Sequence, residues 1–365
     1  MTQHIEVTAS ASTTEPTSEA VAQIVADHKR TVVWRFAIIF ALLVAAVIAF
    51  VVSTIVGPVD LSVRDVVVGI IDPQSLSSRD YTVLWRLRLP MSVMALLVGM
   101  ALALAGAQMQ TILGNPLAEP FTLGISAAAA FGGAAAIALG WTVISQPQFN
   151  LAATAWAAAM LATTMIVVAA VVRGASAETM ILLGIGLVFL FQALLALIQY
   201  RATTEALQQI VFWTMGSLTR ATWIANGVIG ASLLLAVPLF MVLSWQLTAL
   251  RLGDARARAL GVNVTRLRVV VLIVVSLLAA TAVAFCGIIG FVGLVGPHVA
   301  RMLVGEDQRY FMPASMAAGA LMLSASHAAS LLIIPGLAMP IGIITALIGV
   351  PFFIVIVMAG RRALW

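Results

Sequence analysis

RLGDARARALGVNVTRLR, Arg251 to Arg268, sets five arginines between two apolar stretches. A chain that folds inside a bilayer has no folding need for such a loop. It reads as a helical handle held out into the cytoplasm for another protein to grip, and the apolar sequence on either side decides the fold.

That sequence is 62% hydrophobic and only 9% charged over 365 residues. A soluble domain cannot keep so apolar a surface in water, so the chain is a polytopic membrane protein. The lone Cys286 excludes an intramolecular disulfide framework and a Cys-rich metal site. A net charge of +5 is no nucleic-acid signal here, because the placement of basic residues matters more than their sum. Residues 1–30 carry Ser, Thr, Ala and Glu without an apolar run and read as a disordered cytoplasmic tail. The remainder, 31–365, reads as one transmembrane domain with a cytoplasmic loop over about 250–266.

A bilayer core needs roughly 20 apolar helical residues. The chain supplies ten such stretches, at about 33–56, 91–113, 119–140, 150–172, 179–199, 226–248, 267–286, 288–304, 311–334 and 341–360. Ten spans put both termini on one side. With that side cytoplasmic, 13 of the 19 Lys and Arg residues fall inside and 6 outside, as the positive-inside rule requires. Two outer segments stand out. VDLSVRDVVVGI, Val59 to Ile70, reads as a short surface helix. Trp213 and Trp223 read as interfacial anchors.

Gly99, Ala103 and Gly106 sit at small-residue spacing, which lets helix backbones approach closely. LGNPLAEPFTLGIS, Leu113 to Ser126, holds Gly114, Pro116 and Pro120, so its backbone must be buried or line an aqueous path. GIIGFVGLVGPHVAR, Gly287 to Arg301, holds four glycines, Gly296 among them, with Pro297 and His298. Pro335 to Phe353 is a third interrupted stretch. Breaks of this kind point to a translocation path. No GxxxxGK[ST] motif occurs, so an ATP site of P-loop type is absent from this chain. His298 and His327 read as packing histidines. Glu119 and Glu178 fall at predicted cytoplasmic span ends, and the scarcity of intramembrane carboxylates argues against an ion-driven secondary carrier.

Four motifs in order resemble the FecCD family, the permeases of type II ABC importers for ferric siderophores, haem and vitamin B12. They are RLRLPMSVMALLVGMALALAGAQMQTILGNPLAEPFTLGIS, LGDARARALGVNV, GIIGFVGLVGPHVARMLVGEDQR and MPIGIITALIGVPFFIVI. The resemblance implies an all-α bundle of ten helices per subunit and two permease subunits, identical or not, around a central path. It also implies two ATPase subunits that bind ATP and Mg on the cytoplasmic side, and a binding protein that docks outside. It implies no cofactor or metal in this chain, and a bacterial cytoplasmic membrane.

The same resemblance assigns residues. Leu252 to Gly261 becomes the ATPase-coupling segment, two short helices with Gly253 and Gly261 at turns. Ala255, Ala257 and Ala259 keep its surface small, Leu260 is an apolar plug, and Asp254, Arg256 and Arg258 set register by charge. The inner gate falls at Asn115, Leu117, Ala177 and Glu178, where a glutamate departs from the family. The outer docking arginines fall at Arg64, Arg86 and Arg88; a further family arginine is Met91 here, and the aspartate and arginine before the last span are missing. The expected cargo is a ferric siderophore, with haem and cobalamin as alternatives.

Overall fold

The computed structural model describes residues 18–59, 61–174, 176–334 and 338–359. The start of the N-terminal tail, Asp60, Pro335 to Leu337, and Arg361 and Arg362, which were counted among the inner basic residues, lie outside the described residues.

Fifteen α-helices follow one another, and no strand occurs among the described residues. They are α1 (Ser18–Ile55), α2 (Val63–Ile71), α3 (Ser78–Tyr81), α4 (Leu89–Leu113), α5 (Ile125–Leu139), α6 (Pro147–Arg173), α7 (Ala177–Arg201), α8 (Thr204–Thr214), α9 (Trp223–Val242), α10 (Ser244–Leu250), α11 (Asp254–Ala259), α12 (Val264–Cys286), α13 (Val292–Val304), α14 (Gln308–Leu332) and α15 (Ile341–Ala359). Seven are long and apolar enough to cross a membrane, and α5, α13 and α15 are shorter apolar helices. Together they give the ten apolar spans that the hydropathy pattern predicts. At 1.5 Å per residue the 13-residue α13 reaches only about 20 Å, well short of a bilayer core of about 30 Å.

Helix α4 is the axis of the bundle. It packs against α1, α9, α12, α13 and α14, and 20 of its 25 residues are buried, so it meets lipid hardly at all. Its small residues explain the fit. A Cβ on Gly99 would strike the backbone of Gly319 in α14, and one on Gly106 would strike Gly293 in α13. By contrast α1 turns most of its apolar side chains outward, as a peripheral lipid-facing helix does. It begins at Ser18, so Ser18 to Arg30, read from sequence as tail, are helical: SEAVAQIVADHKR has no Gly or Pro to stop the helix.

The breaks are only partly where the sequence puts them. Gly114 is left-handed (φ 58°) and caps α4, and Pro120 opens a short 3-10 turn before α5. Gly296, Pro297 and His298 lie instead inside continuous α13, and the interruption runs over Gly287 to Phe291. Pro297 removes the N–H that would bond to the Gly293 carbonyl four residues back. That carbonyl faces Gly106 and accepts a long bond, 3.5 Å, from Gln110 Nε2 on α4. A neighbouring helix satisfies the freed group, so the helix continues.

The outer layer corrects one expectation. Trp213 is 3% exposed, with its ring against Gly133 of α5, so it is a core residue and no headgroup anchor. Trp223 is half-exposed, and its indole donates to the Trp85 carbonyl at 2.9 Å. Helix α2 forms where a surface helix was expected and is held by a capping box between Ser62 and Asp65.

Candidate functional site

The segment after α9 folds as two short helices of different chemistry: α10 is half apolar and buried at Leu247, Ala249 and Leu250, while α11 is basic. Gly253 (φ 94°) and Gly261 (φ 85°) stand at the two ends of α11 with no neighbour near where a Cβ would be. Of the predicted two-helix segment Leu252 to Gly261, only α11 is helical; its companion α10 precedes it.

One face of α11 is anchored. Ala257 is fully buried against the bundle, so it belongs to the anchor and not to a seating surface. Asp254 is engaged from behind by Arg268 of α12, whose Nη1 and Nη2 donate to its two carboxylate oxygens at 2.8 and 2.9 Å. The Arg268 Nε donates to the Ile112 carbonyl of α4 at 2.8 Å. Arg258 lies 3.8 Å from the same carboxylate. Asp254 therefore sets the position of α11 on its own chain.

The other face is open. Leu252 and Leu260 are 53% and 52% exposed, with Ala255, Arg256, Arg258 and Ala259 exposed between them. Two exposed leucines flanking a basic helix that is held at its back form a small amphipathic knob.

Beside the knob lies a polar cluster that sequence reading did not single out. Arg251 pairs with Glu306, in the loop between α13 and α14. Arg301 Nε lies 3.1 Å from the same Glu306 oxygen, and Arg301 Nη2 donates to Gln110 Oε1 at 2.7 Å. Both guanidinium groups also lie over the Phe311 ring, at 5.9 and 5.5 Å. Gln308 Nε2 donates to Thr111 Oγ1 at 2.9 Å, and its Oε1 accepts from Gln108 Nε2 at 3.0 Å. Burial lowers the pKa of Arg251, and the Glu306 charge partly restores it. Asp307 is held below the usual carboxylate range, first by its hydrogen bonds from the Arg309 side chain. The available signal was the pattern QMQT at the cytoplasmic end of an otherwise apolar span, facing GEDQR.

The remaining predicted residues are dispersed. Asn115 and Leu117 lie in the turn after α4, where the Asn115 side chain accepts from the Leu117 N–H at 2.9 Å. Ala177 and an exposed Glu178 occupy the first turn of α7. The 114–124 loop meets α7 further on, with Leu123 against Gly184 and Gly124 against Leu187. Glu119 departs from its expected place at a span end. Its carboxylate lies next to Gly293, level with Leu102 and Gly106, about two to three turns before α4 ends. The loop thus folds back along α4 before α5 begins.

Arg64 and Arg86 are exposed on the outer face, but Arg88 is not. It is 4% exposed and donates to the carbonyls of Thr54, Ile55 and Val59, at 3.3 and 2.5 Å for the first two. A cation at the C-terminal end of α1 satisfies carbonyls that the helix cannot. This arginine fastens α1 to α4 and offers no face to a docking protein.

Nine apolar helices about a buried tenth, with a broken segment folded back along it and an anchored basic knob, define a polytopic permease. The chain belongs to the FecCD transport family, which it matches over residues 36–359. It is 36% identical to the vitamin B12 import system permease BtuC of Klebsiella pneumoniae over 78% of this chain and 85% of that one. It is 37% identical to a Helicobacter pylori permease named for iron chelatin transport, over 77% and 83%. A solved structure described as an ABC transporter of metal-chelate type, in an inward-facing conformation, superposes with a TM-score of 0.77 at 34% identity, covering 89% of this chain and 99% of that one. The chain is an ABC-importer permease of this family.

Proposed function

We propose that this permease moves a ferric siderophore across the cytoplasmic membrane of a bacterium, driven by separate ATPase subunits that bind ATP and Mg. The observation that carries the reading is the α11 knob, open at Leu252, Arg256 and Leu260 and tied at its back through Arg268 to α4. A force applied to α11 has a short, stiff route to the central helix and to the loop at Asn115 and Leu117, which with Ala177 and Glu178 is proposed as the inner gate. Arg64 and Arg86 are proposed to meet an extracytoplasmic binding protein, and a second permease subunit, identical or not, would complete the path.

The relatives named above are described for vitamin B12 and for an iron chelate, so the cargo is tested by comparison. The permease is reconstituted in liposomes with its ATPase and binding protein. Import of a ferric hydroxamate that needs ATP and is not competed by cobalamin or haem supports the reading. Import of cobalamin or haem alone reassigns the cargo within the family. Uptake that survives Leu260→Glu and the loss of the ATPase, and collapses with an uncoupler, would instead mark an ion-driven carrier.

A further inference from the structure

Glu306 is one carboxylate shared by two arginines from different parts of the chain. Arg251 ends α10 at the base of the docking knob, and Arg301 sits in the last turn of α13. Both arginine side chains are largely buried, with 20% and 12% exposure, while Glu306 is about half exposed. Two buried cations this close repel one another unless a shared anion lies between them. Asp307 cannot substitute, because Arg309 holds both of its oxygens.

The chain of contacts does not end at Arg301. Its Nη2 donates to Gln110 Oε1, and the Nε2 of the same amide reaches the Gly293 carbonyl that Pro297 leaves free. Gly293 opens α13 just after the Gly287–Phe291 interruption, and the Glu119 carboxylate of the re-entrant loop lies next to it. A polar line therefore runs from the base of the knob to the Gly293 carbonyl, beside both broken segments and separate from the Asp254–Arg268–Ile112 anchor.

We propose that Glu306 is a positioning residue for transport: a clamp that makes motion of the knob move α13 and α4 together. The clamp rests on the reading of α11 as the ATPase-coupling segment. Its chemistry suits a joint that must transmit a displacement and still readjust as the parts move. A half-exposed carboxylate can rehydrate as the loop shifts, whereas a fully buried pair could not break and re-form cheaply. Removing the clamp should leave ATP hydrolysis running and disconnect it from import.

The test uses the full complex of permease, ATPase and binding protein in liposomes, with Glu306→Gln, Arg251→Gln and the double variant. Radiolabelled ferric hydroxamate is the probe, with cobalamin replacing it if the wild type carries that instead. The expected result is normal recovery of ATPase with the permease, near-normal ATP turnover, and import per ATP reduced at least about fivefold in each single variant. The double variant should be no worse than the worse single one, because both remove one joint. Import per ATP equal to wild type in Glu306→Gln overturns the clamp, as do additive losses in the double variant. A parallel fall of assembly, turnover and import in both single variants also overturns it, since that marks a merely structural role. Arg251→Gln keeps the Glu306–Arg301 pair and guards against misfolding of Glu306→Gln alone. Should the wild-type complex hydrolyse ATP and import neither compound, the functional reading itself is at fault.

Discussion

Arg268 holds Asp254 through both oxygens, at 2.8 and 2.9 Å, while its third donor reaches the Ile112 carbonyl. One side chain thus ties the knob, α12 and the end of α4 together. Lysine cannot reproduce this, since it is a point charge without a fork. Arg268→Lys should keep the fold but loosen α11. The expected outcome is a loss of roughly 1.5–3 kcal/mol in local stability, the range for charge-assisted hydrogen bonds. Limited proteolysis should then cut between 251 and 261 faster than in wild type, with thermal unfolding of the bundle little changed. Unchanged protection of that loop would show that the bidentate grip is unimportant.

The loop after α13 carries a pH signature of its own. The Arg309 side chain lowers the pKa of Asp307 from its ordinary 3.8, and Asp307 also accepts from the Arg309 N–H to cap α14. A depressed carboxylate contributes stability that is present above its unfolded pKa and is lost as pH falls through the lower folded value. The difference in thermal midpoint between wild type and Asp307→Asn should therefore be flat through the neutral range. It should shrink only below pH 3.8. A difference that closes near neutrality would assign the effect to another group.

The ten spans were legible because hydropathy over a helix length is a one-dimensional property, and each apolar run is local. What pairs with what is not local. Arg251 and Glu306 stand 55 residues apart, and Arg88 meets carbonyls 29 to 34 residues back. Neither separation leaves a periodic trace, and the carbonyl 29 residues back, Val59, lies past the end of α1. Trp213 misled for a related reason: an indole suits an interface or a core equally, and only Gly133 opposite it decides. Pro297 reads as a breaker in sequence, yet Gln110 from another helix takes up the carbonyl it frees. The knob was the most legible part of the site, since polar residues flanked by apolar spans have few structural reasons to exist.

Glycine substitutions test the close packing around α4. A Cβ on Gly319 would meet both the Ala103 side chain and the Gly99 backbone, neither of which is the free end of a flexible chain. Gly319→Ala should cost about 1–3 kcal/mol through overpacking. Gly230, also helical, has only Leu97 at 4.0 Å from an added Cβ. Gly230→Ala should be neutral or gain about 0.5–1 kcal/mol, because alanine gives up less backbone entropy in a helix. Thermal denaturation in one detergent compares the pair, and equal behaviour would mean that α14 is not seated on α4 as described.

Arg86 and Arg88 are two residues apart and should fail in different ways. Arg88 fills the end of α1 and is buried against Gly57, where an added Cβ would collide with the guanidinium. Arg88→Ala removes donors from three carbonyls, Thr54, Ile55 and Val59, and should lower the thermal midpoint by several degrees. Because the residue presents no outer face, the variant that remains folded should bind the extracytoplasmic protein with unchanged affinity. Arg86 is exposed, so Arg86→Ala should leave stability alone. Rim charges act mainly on encounter, so the loss should appear in the association rate and fade as salt is raised. Arg64→Ala should behave as Arg86→Ala does. Surface plasmon resonance on the solubilised permease at low and high salt separates the two classes. An Arg88→Ala permease that melts normally but associates slowly would return Arg88 to the docking surface.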